Sequence, residues 1–119
     1  MIPKIRKMHD KFKIRGRDIP FSSEEKEFRI CAMQEELDEY RQADTPEEEL
    51  DALVDLVVFT LGTAERQQRL HIFYAAFCRV MEANMKKELG ANMKRGSFHI
   101  DLIKPKNWIA PDHSSLFLI

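Results

Sequence analysis

The sequence predicts an all-α fold, a helical bundle of about four helices with an extended C-terminal tail. Three observations predict it. Apolar residues recur at helical spacing over four stretches separated by short links. Two of those stretches open on capping-box spacings, Ser22 with Glu25 and Thr45 with Glu48. Past Gly90 the periodicity is lost, and Pro105 and Pro111 break up the C-terminal stretch.

The first helix is expected over about residues 2–13, with Ile5, Met8 and Phe12 as its apolar positions. "GRDIPFSSEE" comes next as a loop, with Gly16 and Pro20 as breakers. The second helix starts near Ser23 and runs to about Ala43, with Ile30, Met33, Leu37 and Tyr40 as its core stripe. Thr45 as N-cap and Pro46 in the first turn start the third helix, which reaches about Arg69. The fourth covers about His71 to Leu89, with Gly90 as its stop and Phe73, Tyr74 and Phe77 in the core. Ser97–Ile103 reads as a short strand or hairpin arm. Gly62, in mid-helix, reads as a point of close helix approach.

At 119 residues the chain reads as a single domain: an N-terminal helix and loop (1–23), a helical core (24–90) and an irregular tail (91–119). So small a core has a thin margin, and helices apolar on two sides point to completion by a homodimer or homotetramer. No apolar stretch approaches the ~20 residues of a membrane span, and no apolar run lies behind the basic N-terminus. Cys31 and Cys78 fit buried, reduced thiols in a cytoplasmic protein.

The net charge of −1 hides a segregation. From Glu24 to Asp55 there are 13 acids against 3 bases, and elsewhere 7 against 16. Solvated helix faces would account for this; so would a site for a divalent metal with a polyanion. On the third helix, at 100° per residue, Glu48, Asp51 and Asp55 fall within about one 60° stripe. From Leu53 to Leu61 only Asp55 and Thr60 are polar, so Asp55 is expected off any open solvent face. An unpaired carboxylate there takes up a proton or requires a cation. On the second helix Glu36 and Glu39 share a side that also carries Phe28 and Ala32.

Two antiparallel helices joined by a short link bring Glu36 and Glu39 opposite Asp51 and Asp55. Hard oxygen ligands at that density suit Mg²⁺, with Mn²⁺ as the alternative. Zinc is disfavoured because His9, His71, His99 and His113 are scattered and no Cys lies near these acids. The competing reading is a solvated acidic patch paired with Lys26, Arg29 and Arg41. Glu24, Glu25, Glu27, Glu47 and Glu49 read as surface, capping or dipole residues, and Glu48 fits either group.

Five stretches in order resemble the MazG-like, all-α nucleoside triphosphate pyrophosphohydrolases, in the form of their small, phage-type members. They are "MHDKFKI" at the N-terminus, "EELDE" at Glu35–Glu39, "ELDALVDLVVFTLGTA" at Glu49–Ala64, "VMEANMKK" at Val80–Lys87 and "KPKNWIAPD" at Lys104–Asp112. The resemblance implies Mg²⁺-dependent hydrolysis of a (deoxy)nucleoside triphosphate between its α and β phosphates, releasing monophosphate and pyrophosphate. It implies dimers or tetramers in the cytoplasm, that of the host cell if phage-encoded. By motif position, Glu36, Glu39 and Asp55 would bind metal, Glu35 and Asp51 would be ligands or position water, and Asn84 and Lys87 would face the nucleotide. Many members carry an acid where this chain has Ala52, which leaves open which acid completes the metal shell. Trp108 is a further substrate-contact candidate by stacking on a base, with a tail anchor as the alternative. No residue reads as specific for a purine or a pyrimidine.

Lys4, Arg6, Lys7, Lys11, Lys13, Arg15 and Arg17 make a basic N-terminal segment. Asp10 and Asp18 interrupt it and no nucleic-acid motif accompanies it, so nucleic acid is not the expected partner. The alternative to an enzyme is a non-enzymatic helical module contacting nucleic acid or an acidic partner through that segment.

Overall fold

The computed structural model describes residues 1–118 and is mostly helical: α1 (Ile2–Phe12), α2 (Ser23–Gln42), α3 (Pro46–Arg66) and α4 (Leu70–Asn84), with a two-stranded sheet of β1 (Glu88–Gly90) and β2 (Asp101–Ile103). No helix among the described residues is long and apolar enough to cross a membrane. The chain divides into two compact units, Met1–His71 and Ile72–Ile119.

In the first unit, α2 and α3 form a helical hairpin and α1 packs on α3. Local chemistry sets the ends. Ser22 Oγ accepts from the Glu25 N–H at 3.1 Å, and Thr45 Oγ1 from that of Glu48 at 3.1 Å. Glu48 reaches back to accept from the Asp44 N–H at 3.0 Å, so it serves the helix start. Gln68, at φ 58°, adopts the left-handed backbone that separates α3 from α4, so α3 stops three residues short of the expected Arg69.

The faces of α2 depart from expectation. Arg29, Ala32 and Glu36, at i, i+3 and i+7 spacing, are its buried residues. The expected core stripe is exposed in the single chain, Ile30 by 46%, Leu37 by 44% and Tyr40 by 42%. The reason is that α2 turns its mixed, acid-bearing side to α3, and of the expected stripe Met33 alone is half-buried, its Sδ accepting from Thr60 Oγ1 on α3 at 3.8 Å. Met8 and Phe12 on α1 are exposed too, while Ile5 is buried.

The interior of this unit is unusually polar: His9, Arg29, Glu36, Glu65 and Arg66 are all buried. Arg66 organises much of it. Its guanidinium donates to Glu25 through Nε at 2.6 Å and through Nη2, and to the carbonyls of Ile14 and Ile19 through Nη1. Glu25 is therefore half of a part-buried ion pair, and not only the surface and capping residue its position suggests. Gly62 makes the close approach expected of it. A Cβ there would lie 3.1 Å from Arg29 Nη1 and 3.2 Å from His9 Nε2.

In the second unit, α4 ends at Asn84, five residues before the expected Leu89. Glu88–Gly90 instead pairs antiparallel with Asp101–Ile103, in the register Glu88 to Ile103 and Gly90 to Asp101. The sequence predicts a strand arm near 97–103 but not its partner. Trp108 Nε1 donates to the Ala83 carbonyl at 2.6 Å and ties the tail to α4. Tyr74 and Phe77 stack on each other but are exposed in the single chain. Neither thiol is buried: Cys31 is exposed and Cys78 half-buried.

Candidate metal centre

Glu36 and Glu39 lie one turn apart on α2, and Asp55 lies on the facing helix α3. Each offers a carboxylate oxygen, and the three oxygens fall within 4.8 Å of one another. Glu36 is 9% exposed, and its Oε2 is buried with no hydrogen-bond partner. None of Glu36, Glu39, Asp51 and Asp55 forms an ion pair among the described residues. The bases a solvated patch would use are engaged elsewhere or unpaired with acids: Arg29 binds Glu25 and Arg41 binds Asp38.

The electrostatics follow from this crowding. Burial pushes the Glu36 carboxyl up to about 7, helped by hydrogen bonding with Glu39 and by the charges of Glu39, Asp55 and Asp51. Asp55 is raised as well, first by burial and then by the charges of Asp51 and Glu39. A buried carboxylate beside two further carboxylates is relieved either by taking up a proton, the direction in which Glu36 is shifted, or by a cation. The three acids offer an all-oxygen, hard donor set, the kind that Mg²⁺ and Mn²⁺ take.

The other sequence-derived candidates separate around this trio. Asp51 is exposed and outside it, yet its charge is felt by both Glu36 and Asp55. With Glu39, Thr45, Glu48, Leu50 and Val54 it lines a hollow of about 940 Å³ at the tip of the α2–α3 hairpin. Glu35 is exposed and does not join the trio. Ala52, where an acid is common in the resembled family, is buried at 3%.

No protein-family model, curated protein or solved structure matches this chain. The reading of the site therefore rests on its own chemistry.

Asn84, Lys87 and Trp108 belong to the second unit. Asn84 closes α4, and its carbonyl accepts from the Lys87 N–H at 3.0 Å. The Lys87 ammonium lies 5.0 Å from the Trp108 ring centroid, and that of Lys104 lies 5.1 Å from it. Sequence reasoning passed over Lys104, although its place four residues before the only tryptophan was a usable signal. The basic N-terminal segment is partly neutralised, since Arg6, Arg15 and Arg17 pair with Glu65, Asp10 and Asp18.

Proposed function

We propose that the protein is a metal-dependent hydrolase that cleaves a (deoxy)nucleoside triphosphate into the monophosphate and pyrophosphate. The observation that supports a metal site is the convergence of Glu36, Glu39 and Asp55 from two helices, with an unpartnered buried oxygen on Glu36 and no ion pair to any of the three among the described residues. The five sequence stretches that resemble MazG-like enzymes point to the same substrate class.

Glu36, Glu39 and Asp55 would hold Mg²⁺ or Mn²⁺. The ion would supply charge neutralisation on the phosphate oxygens and a more acidic bound water. Asp51, exposed beside the trio, is placed in this reading to orient water and accept its proton, with Glu35 as the other candidate. Water then adds to phosphorus, the bridging α–β bond breaks, and the leaving oxygen departs as pyrophosphate. By the resemblance alone, Asn84, Lys87 and Trp108 are the candidates for contact with the nucleotide. Exposed Leu37, Tyr40, Leu53 and Val57 on α2 and α3 favour association with further copies, as a homodimer or homotetramer.

The test is a panel of dNTPs and NTPs incubated with Mg²⁺ or Mn²⁺ and assayed for both monophosphate and pyrophosphate. Equimolar release of the two, abolished by chelation and by Glu39→Gln, is expected. No pyrophosphate from any member of the panel would overturn the proposal.

A further inference from the structure

A second cavity in the first unit shares no residue with the acidic trio. It has a volume of about 280 Å³ and is lined by Arg6, Arg15, Gly16, Arg17, Glu65, Gln68, Leu70 and His71. Arg6 of α1 and Arg15 and Arg17 of the loop after it stand in its wall, and the first residues of α4 complete it.

The arginines carry far more donor capacity than the protein uses. Each guanidinium has five N–H donors. Arg15 spends one on Glu65 Oε1 at 2.7 Å and one, at 3.4 Å, on Asp10 Oδ1. The remaining contacts are ion pairs too long to be hydrogen bonds: Arg6 Nε to Glu65 Oε2 at 3.7 Å, Arg17 Nη2 to Asp10 at 3.6 Å and Arg17 Nε to Asp18 at 3.8 Å. Arg6 Nε is buried and has no hydrogen-bond partner.

The charge balance points the same way. Glu65 is the only acid in the wall, and its side chain, 5% exposed, is committed to Arg15. Asp10 lies outside the wall and serves Arg15 and Arg17 at once. The lining therefore keeps a positive surplus. The loop is also held tightly: a Cβ on Gly16 would run into the Arg66 carbonyl and lie 2.7 Å from Gln68 Cγ, so only glycine lets Arg15 and Arg17 stand at this wall. The volume is slightly below the ~300 Å³ at which pockets for drug-sized molecules begin, which favours a small ligand over a whole nucleotide.

We propose that this cavity is a binding site for a small phosphate oxyanion, inorganic phosphate or pyrophosphate, held by Arg6, Arg15 and Arg17. Planar guanidiniums suit the oxygens of phosphate by forked, charge-assisted hydrogen bonds. The inference stands apart from the hydrolase reading, because the site needs neither the metal nor the acidic trio.

The test is calorimetric titration of the full chain with sodium pyrophosphate and with inorganic phosphate, with chelator present and ionic strength held constant. One pyrophosphate per chain is expected, bound at least tenfold more weakly by Arg6→Gln and by Arg17→Gln and unchanged in Glu39→Gln. Arg6 and Arg17 are exposed enough for these variants to fold. Nitrogen NMR of the arginine Nε–H groups gives a second readout on the unmutated protein, in which the Arg6 signal should shift with pyrophosphate. A nucleoside triphosphate titrated in parallel separates free oxyanion from a nucleotide's terminal phosphate. Tighter binding of the nucleotide, lost in the same two variants, would overturn the small-ligand assignment. Absence of binding, unchanged binding in both variants, or a still Arg6 signal would overturn the site.

Discussion

Asp55 on α3 and Glu36 on α2 bring carboxylate oxygens within 4.8 Å of each other, and neither carboxylate has a cationic side chain to offset it. Without metal the crowding is unfavourable: burial first, and then neighbouring carboxylates, raise both groups. Asp55→Asn removes one charge while keeping size and shape. The expected result in chelator is a melting temperature a few degrees above that of the unmutated protein, together with loss of pyrophosphate release by a factor of ~100 or more. Thermal denaturation with and without chelator checks the first part. A lower melting temperature under both conditions would mean that Asp55 is a structural residue with a partner.

Added Mg²⁺ or Mn²⁺ should reverse that order. A ligand that binds only the folded state stabilises it by about 2.7 kcal/mol at a hundred times its dissociation constant. The unmutated protein should therefore gain stability with either ion, and Glu39→Gln or Asp55→Asn should gain little. Differential scanning fluorimetry at fixed ionic strength separates this from screening, since Na⁺ at matched strength should not reproduce the gain.

The fold class was legible because it rests on local signals. The helix starts at Ser22 and Thr45 depend on side chains three residues from the groups they cap, and both form as read. Glu36 and Glu39 were expected opposite Asp51 and Asp55 from two antiparallel helices on a short link, and the structure gathers Asp55 with them but leaves Asp51 outside the trio. What periodicity could not show is which side of α2 meets α3. Both sides carry apolar residues, and α2 buries Arg29, Ala32 and Glu36 while Ile30 and Leu37 stay exposed. The Arg66–Glu25 pair joins residues 41 apart in sequence, and no spacing rule reaches that far. The end of α4 was misjudged for a related reason: Glu88–Gly90 is drawn into a strand by Asp101–Ile103, a tertiary pairing that overrides helical spacing.

Arg66 is 3% exposed and ties Glu25 on α2 to the loop carbonyls of Ile14 and Ile19. Arg66→Met keeps the apolar stem and removes the charge. Glu25 then keeps only Arg29, at 3.4 Å, and the carbonyls of Ile14, Ile19 and Pro20 lose a donor. Removing one partner of a buried pair typically costs ~3–5 kcal/mol. The lower end is expected here because the Glu25 side chain is 19% exposed. Urea denaturation of the variant should show this loss, and a change below ~1 kcal/mol would mean the network contributes little.

His9 gives the fold a pH dependence whose sign can be worked out. It is 1% exposed, and its imidazole is held below the ordinary 6.5, first by burial and then by the Arg29 guanidinium. Arg66 and Arg15 push it the same way, and Glu65 pulls against them. Above pH 6.5 the ring is neutral in both folded and unfolded chains and contributes no slope. Below 6.5 the unfolded chain takes up a proton that the folded chain refuses, so stability falls with pH until the lowered folded value is passed, by at most ~1.4 kcal/mol per pH unit. Glu36 acts in the opposite direction: raised to about 7, it keeps a proton in the folded chain between pH 4.5 and 7 that the unfolded chain releases. The two partly cancel in the unmutated protein. The informative quantity is the difference from His9→Gln, which removes one titration and leaves the other. In chelator, the stability advantage of the unmutated protein over His9→Gln should be constant from pH 8 to 7 and shrink steadily below 6.5. Parallel stability curves for the two proteins down to pH 5 would show that His9 titrates alike in the folded and unfolded chains.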